Sequence, residues 1–159
     1  MPRQWGVLVA GLALVAIVST SVSASPTLIK PSTVRVTNEE VSRETVDLGD
    51  PGRSAGDLVV VTQLLFNRRI TPHAIGHEEL TCTYLGRGGV LGGGTWSCQL
   101  TIYLRTGRIV ALGNVHNFLL YSLPVVGGVG LYDNVGGSVT VTYLGANPRR
   151  QLLLFRLTI

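Results

Sequence analysis

The sequence predicts an all-β domain, and three observations support that prediction. Short runs rich in Val, Ile, Leu, Thr and Tyr follow one another, separated by clusters of Gly, Pro, Asn and Asp. Outside the N-terminal segment, no stretch keeps apolar residues at helical spacing over three turns. The 20 glycines fit many tight turns and bulges better than they fit helices.

About eight strands are predicted, mostly joined as hairpins, which favours a closed antiparallel barrel or a sandwich. Closure would leave no free strand edge, which suits strands as apolar as these. In chain order the predicted strands are Thr33–Thr37, Leu58–Phe66, Gly76–Leu85, Thr95–Arg105, Arg108–Asn114, Phe118–Val126, Ser138–Tyr143 and Gln151–Thr158.

The N-terminal segment has the pattern of a cleavable export signal. Arg3 precedes an unbroken apolar stretch, Val7 to Val18, and Val22-Ser23-Ala24 fits the small-residue cleavage pattern. A transmembrane anchor is the alternative, but spanning a bilayer takes about 20 apolar residues and this run is about 12. We therefore predict a signal peptide over residues 1–24, a loose leader over 25–32 and one domain over 33–159. The mature protein is expected to be secreted and to have no membrane contact.

Charge gives no sign of a nucleic-acid partner. The net charge is +4, and the basic residues are spread along the chain, with Arg68-Arg69 and Arg149-Arg150 both in predicted turns. A nucleic-acid-binding surface gathers its basic residues on one face and interleaves aromatic residues with them. Neither feature is present in the sequence.

The two cysteines fall in a two-faced hairpin. Cys82 and Tyr84 share the apolar face of one strand, and Trp96 and Cys98 share that of the next. If the hairpin is symmetric about residue 90, opposed positions sum to 180, so Cys82 faces Cys98. Directly opposed β-carbons lie about 4.5–5.5 Å apart, close to what a disulfide needs. Disulfides persist in exported proteins, so we predict a Cys82–Cys98 bridge, which makes a nucleophilic Cys82 thiol improbable.

Three stretches together resemble the dirigent and allene oxide cyclase superfamily of eight-stranded barrels. They are Gly56-Asp57-Leu58-Val59, Gly76-His77-Glu78-Glu79-Leu80-Thr81-Cys82, and Pro124-Val125-Val126-Gly127-Gly128-Val129-Gly130-Leu131-Tyr132 closed by Gly136-Gly137. The resemblance covers most of residues 57–159. It implies a closed antiparallel eight-stranded barrel that holds a small apolar organic molecule and directs its cyclisation or coupling without a cofactor. It also allows a homo-oligomer.

Only some of the family's functional residues have a counterpart in this sequence. Gln63 occupies the place of an Asn that helps to hold a water against the substrate oxygen in the allene oxide cyclase branch, and Cys82 coincides with a pocket cysteine. In that branch's Glu-x-Asn pattern, Asn38 matches the Asn and Val36 stands where the Glu belongs. Gly136 replaces the Arg of the dirigent branch. The matched positions therefore keep the residues of the scaffold, but Val36 and Gly136 replace the charged Glu and Arg of the two branches.

Gln63 and Asp133 are the candidate catalytic residues. An acid held in an apolar barrel has a raised pKa and can transfer protons, although Asp133 beside Asn134 also fits a turn. Asp57 fits a loop-to-strand cap. Glu78 and Glu79 lie on opposite faces of their strand, so at most one points inward, and both are expected to face outward. The candidate ligand-binding residues are Gln63 and those aromatic residues that lie on inward faces, drawn from Tyr84, Trp96, Tyr103, Tyr121 and Tyr132.

No metal or phosphate site is expected. His73, His77 and His116 lack the spacing of a zinc site and are expected to be solvated. No Lys-Ser/Thr follows Gly127-Gly128-Val129-Gly130, so these glycines predict close backbone packing at the barrel rim and not a phosphate loop.

Two other functions stay open at the level of sequence. One is a non-catalytic carrier of small molecules, and the other is a structural or interaction protein whose barrel is filled. A packed lumen would exclude both ligand-binding functions. An open lumen with a buried ionisable group beside Gln63 would favour catalysis, and an open, wholly apolar lumen would favour carriage.

Overall fold

In the computed structural model, residues 32–67, 72–87 and 94–158 are described, and they form a closed antiparallel β-barrel. The predicted signal peptide and residues 25–31 of the leader lie outside the described residues. The strands are β1 (Ser32–Val46), β2 (Leu58–Phe66), β3 (Ala74–Arg87), β4 (Gly94–Leu104), β5 (Gly107–Val115), β6 (Leu120–Gly130), β7 (Gly136–Ala146) and β8 (Arg149–Thr158).

The predicted eight-stranded barrel is confirmed. Each strand pairs with its neighbours in the chain, and β8 closes the sheet on β1 with Val34 opposite Phe155. The hairpin register of β3 and β4 is also the predicted one, with Cys82 opposite Cys98 and Tyr84 opposite Trp96. Within the described ranges, no helix is long and apolar enough to cross a membrane.

Strand β1 differs most from its prediction, since it runs to Val46 and not to Thr37. Its second half carries mostly polar side chains, and its register against β2 shifts between Glu40 and Ser42. A bulge of this kind reverses which residues point inward, so the alternation that identifies a strand is broken in the sequence. Val36 points inward before the bulge, and Arg43 lines the lumen after it.

The glycines of the predicted turn motif lie at the end of β6 and the start of β7, on either side of the β6–β7 turn. A β-carbon on Gly128 would lie 2.6 Å from the Arg108 carbonyl oxygen of β5. Gly137 has a φ of +117°, and a β-carbon there would lie 2.0 Å from the Arg156 carbonyl oxygen of β8. Neither position accommodates a side chain, so these glycines serve close backbone packing.

The two ends of the barrel differ. We call the end with the β2–β3, β4–β5 and β6–β7 connections the closed end, and the end with the other connections the open end. Fully or nearly fully buried apolar side chains fill the closed end: Leu65, Ile102, Ile109, Val135, Val139, Phe155 and Leu157. The open end contains a cavity.

The hydrogen-bonded ladder between β5 and β6 is the shortest among the described strand pairs. Pairing there involves only residues 107–111 of β5, and it stops where Pro124 enters β6. Proline has no N–H to donate to the ladder, so the paired stretch of β5 and β6 ends at Ala111 and Val125.

Candidate functional site in the barrel lumen

A cavity of about 830 Å³ occupies the open end. Side chains from inward positions of β1, β2, β3, β4, β7 and β8 form its walls, and the β1–β2 and β5–β6 loops form its mouth. Its described lining is Arg43, Thr45, Asp47, Gly52, Arg53, Asp57, Val59, Val61, Gln63, Leu80, Cys82, Gly94, Trp96, His116, Phe118, Leu119, Tyr143, Arg149 and Gln151. The volume is in the range of small-molecule sites, so the lumen is not filled throughout.

The Cys82–Cys98 disulfide forms part of the wall. The two cysteines are joined, with an S–S distance of 2.11 Å and a Cα–Cα distance of 4.1 Å, and both are buried. Cys82 also lines the cavity. The predicted bridge is therefore present, and it fastens β3 to β4 beside the ligand-sized space.

The floor of the cavity holds a buried polar network. Gln63 of β2 lies directly opposite Glu78 of β3 in the register. The Asn38 side chain of β1 donates through Nδ2 to Glu78 Oε2 at 2.8 Å and to Gln151 Oε1 at 3.1 Å. Gln63 and Gln151 line the cavity, whereas Asn38 and Glu78 do not. The Glu78 carboxyl group therefore lies behind the residues of the floor and does not contact the cavity.

A backbone hydrogen bond fixes the direction of this network. The Gln151 N–H donates to Asn38 Oδ1 at 2.8 Å, so the Asn38 NH2 group must point toward Glu78. Glu78 Oε2 is therefore an acceptor, and a proton on the carboxyl group resides on Oε1. No described residue hydrogen-bonds to Oε1. A neutral Glu78 consequently presents an O–H donor that the surrounding described side chains do not use.

Burial perturbs two ionisable groups here. Glu78 has no exposed surface, and burial raises its pKa from 4.5 to about 7, although the Asn38 hydrogen bond opposes the shift. Burial and the neighbouring Glu78 carboxylate raise the pKa of Tyr121 well above its usual value. The Tyr121 hydroxyl is buried beside the Gln151 side chain, whose hydrogen bond opposes the shift, whereas Glu78 Oε1 has no partner among the described residues. Unpartnered buried polar atoms are costly and are typical of functional sites.

The expectation that Glu78 and Glu79 both face outward is wrong for Glu78. Strand β3 begins at Ala74, so Glu78 lies inside the strand and not at its end. It has the same parity as Leu80, Cys82 and Tyr84, all buried. Glu79 does face outward, where it accepts a hydrogen bond from the Tyr103 hydroxyl.

Four of the six predicted ligand-binding residues point into the barrel. Gln63 and Trp96 line the cavity. Tyr84 and Tyr121 are buried on the inward faces of β3 and β6. The other two lie elsewhere: Tyr103 is on the outer face, stacked on His77, and Tyr132 is in the β6–β7 turn of the closed end.

The second catalytic candidate, Asp133, lies far from the cavity. It is exposed in the β6–β7 turn, where its carboxylate accepts a hydrogen bond from Asn134. Asp57 caps the β1–β2 loop, as expected, by accepting hydrogen bonds from the Leu48 and Ser54 N–H groups at 2.9 Å and 2.7 Å. These backbone hydrogen bonds, that of Ser54 first, lower the pKa of Asp57.

The histidines are dispersed. His77 stacks on Tyr103 outside the barrel, and His116 lies at the cavity mouth, 3.1 Å from the Thr95 hydroxyl. Across the described ranges, no three side chains of His, Cys, Asp or Glu come together in a way that could hold a metal ion.

Glu78 and Gln151 were not predicted as site residues, and neither was the contact of Asn38 with both. Val36, which stands where the allene oxide cyclase branch has its Glu, is buried in the core and supplies no carboxylate. The structure supplies a carboxyl group from β3 instead, bonded to the matched Asn38. Glu78 is two residues from Leu80 and shares its inward face, which could have predicted its burial. It was expected to face outward because acids at strand ends usually face solvent.

Comparison with known proteins identifies similar folds but no sequence family. No protein-family model matches the chain, and no curated protein matches it. A structure described as pyocyanin demethylase superposes with a TM-score of 0.68 at 23% identity, covering 80% of this chain and 100% of that one.

Two further structures are of interest. The Diels Alderase AbmU from Streptomyces koyangensis has a TM-score of 0.59 at 14% identity, covering 80% of this chain and 69% of that one. The pterocarpan synthase dirigent protein GePTS1 has a TM-score of 0.59 at 11% identity, covering 80% and 83%. At these identities the likeness establishes the fold alone: the chain is an eight-stranded barrel of the type found in dirigent proteins and Diels-Alderases.

Proposed function

We propose that this protein binds a small, largely apolar organic molecule in the open end of its barrel and directs its cyclisation or coupling without a cofactor. One observation carries the proposal: the cavity floor places Gln63 directly opposite a buried carboxyl group, that of Glu78. A lumen that only stores a ligand needs no buried carboxyl group, and burying one lowers the stability of the fold.

Glu78 is suited to proton transfer with a substrate oxygen. A general acid–base group works best with a pKa near the operating pH, and that of Glu78 is raised to about 7. Since Asn38 occupies Oε2 and Glu78 does not line the cavity, the proton leaves Oε1 through a water held beside Gln63 and reaches the substrate from there. That water passes a proton to a carbonyl or alkoxide oxygen, and Oε1 takes one back when the product forms, so the protein is unchanged. Gln63 and Gln151 orient the substrate from the floor.

The similar solved barrels support a small-molecule reaction. Their names describe a Diels-Alderase, a pterocarpan synthase dirigent protein and a pyocyanin demethylase. A shaped lumen that holds one conformer of a reactive molecule can contribute several kcal/mol by pre-ordering alone. Proton transfer from Glu78 adds to that effect.

We also propose that the protein acts outside the cytoplasm. The buried disulfide and the signal-like N-terminal sequence both support export.

The proposal is tested with full-length protein produced in a secreting host. Native mass spectrometry is expected to detect a co-purifying small molecule, which organic extraction then identifies. Its conversion is compared for the wild type, Glu78→Gln and Glu79→Gln. Because Glu79 is the next residue and faces outward, E79Q is the matched control. We expect E78Q to lower kcat by about 10²–10⁴-fold and E79Q to leave it unchanged.

Each alternative has its own outcome. A ligand that binds wild type and E78Q equally and is recovered unchanged identifies a carrier. Repeated ligand-free spectra, together with no binding of apolar dyes, overturn the ligand-binding function.

A further inference from the structure

The mouth of the cavity contains three arginines whose electrostatic environments differ. Arg43, Arg53 and Arg149 all line the cavity. Arg43 binds both carboxylate oxygens of Glu40, at 3.0 Å from Nε and 2.7 Å from Nη2. Arg149 approaches the same carboxylate at 3.6 Å. These two arginines therefore share one internal counter-ion.

Arg53 has a different environment. Its guanidinium carbon lies 5.7 Å from the ring centroid of Tyr84 and 5.8 Å from that of Trp96. These distances fit cation–π contacts. The Arg53 charge acts on the nearby Asp57 carboxylate and helps to lower its pKa, but no described residue forms a salt bridge or a hydrogen bond with the Arg53 guanidinium. Its planar set of N–H donors is therefore unused by the described residues.

The two acids that line the cavity near Arg53 are already engaged with the backbone. Asp57 accepts from the Leu48 and Ser54 N–H groups, and Asp47 accepts from the Gly52 N–H at 3.2 Å. These bonds hold the β1–β2 loop in place. The loop is further tied to β3 by a 2.9 Å hydrogen bond from the Gly56 N–H to the Tyr84 carbonyl. Arg53 is thus presented by an anchored segment.

The neighbouring wall is aromatic. The Tyr84 and Trp96 rings lie 4.9 Å apart, and the Phe118 ring is 5.9 Å from Trp96. An aromatic wall beneath a guanidinium with free donors suits a planar molecule with an anionic group at its outer edge, because arginine both stacks on rings and binds oxyanions in a bidentate manner.

We infer that Arg53 determines specificity at the cavity mouth by binding an anionic group, such as a carboxylate or phenolate, on an aromatic ligand. The inference rests on the proposed ligand-binding function and narrows its substrate class. The ligand then has two ends: a neutral oxygen near Gln63 and Gln151 at the floor and an anionic group near Arg53.

Two dyes with the same body test the inference. 8-Anilinonaphthalene-1-sulfonate carries a sulfonate, and N-phenyl-1-naphthylamine lacks it. Each is titrated by fluorescence into full-length wild type, Arg53→Gln, Arg53→Lys, Arg149→Gln and Arg156→Gln, after thermal melts confirm that each variant folds. The matched control is R156Q, because Arg156 is exposed on β8 and does not line the cavity.

We expect R53Q to weaken binding of the sulfonate dye at least fivefold and to change that of the neutral dye less than twofold. R53K is expected to fall between the wild type and R53Q, since it keeps the charge but loses the planar donors. R156Q is expected to change either affinity less than twofold, and R149Q is expected to weaken binding of the sulfonate dye less than R53Q does.

The failures of the two proposals are distinguishable. If neither dye binds the wild type, the ligand-binding function itself is wrong. If the neutral dye binds but R53Q affects both dyes equally, or R149Q weakens the sulfonate dye as much as R53Q does, only the role of Arg53 is overturned.

Discussion

The closed and open ends of the barrel are built from the same eight strands, but they differ in the side chains that fill them. At the closed end, inward positions carry large apolar side chains such as Phe155 and Ile102, which leave no exposed surface. At the open end, the equivalent positions carry Gln63, Gln151 and Trp96, which surround a cavity. The closed end provides the packing free energy, so the open end can retain buried polar atoms and empty space that would otherwise destabilise the fold.

The largest difference between the ends is expected on truncating matched leucines. Leu65 lies in the closed end with no exposed surface, and Leu80 lines the cavity. Leu65→Ala should lower the free energy of unfolding by about 3–4 kcal/mol and Leu80→Ala by about 1–2 kcal/mol, because Leu80 already faces space. Urea denaturation measures both. Equal losses would contradict the division into two ends.

The disulfide is expected to compensate for the thin packing of the open end. It closes a loop with a sequence separation of 16, which corresponds to about 3 kcal/mol of stability. The double variant Cys82→Ala/Cys98→Ala should show that loss in urea denaturation. It should also bind apolar dyes more weakly if the bridge shapes the wall. Unchanged stability would indicate that the hairpin register alone holds this wall.

The Glu78 carboxyl group should make the stability depend on pH. Its pKa is raised from 4.5 to about 7 in the folded state, so between these values the folded protein binds more protons than the unfolded chain does. The contribution of the neutral Glu78 carboxyl group to the free energy of unfolding is therefore full below pH 4.5 and is lost as the pH rises through 7.

Replacing Glu78 by Gln removes this titration. The free energy of unfolding of E78Q minus that of the wild type should therefore be greater at pH 8 than at pH 4.5, by about 3 kcal/mol. Chemical denaturation at the two pH values measures it, with Glu79→Gln as the control. A difference that is independent of pH would show that Glu78 is not held neutral by burial.

The smallest effect is expected at the cavity mouth. Asp57→Ala removes the acceptor of the Leu48 and Ser54 N–H groups. Amide hydrogen exchange at these two positions should accelerate roughly fivefold, while amides in the closed end stay unchanged. Global acceleration would instead mean that the β1–β2 loop is part of the cooperative core.

Much of the scaffold was predictable because it depends on local patterns. Strand β2 was predicted at its observed bounds, since its run of Val and Leu is rich in strand-forming residues and follows the turn residues Gly56-Asp57. The β3–β4 register followed from the symmetry of one hairpin. Strand β1 was underestimated because its bulge interrupts the alternation and its second half is mostly polar.

The site was predicted only in part. Gln63 and Trp96 were identified, but Glu78 was expected to face solvent, and Gln151 was not considered. Asn38 and Gln151 are 113 residues apart in the chain, and their contact depends on barrel closure between β1 and β8. No local pattern reports such a contact.

The sequence by itself determined the strands, the hairpin that places Cys82 opposite Cys98, and the glycines that allow the closed end to pack. Each of these follows from side-chain alternation or from backbone sterics within a short segment. Only the tertiary structure decided which side chains share the lumen, because closure brings distant strands together. It buried Glu78 against Asn38 and placed Arg53 over Tyr84 and Trp96. The chemistry of this protein therefore depends on contacts that exist only once the barrel has closed.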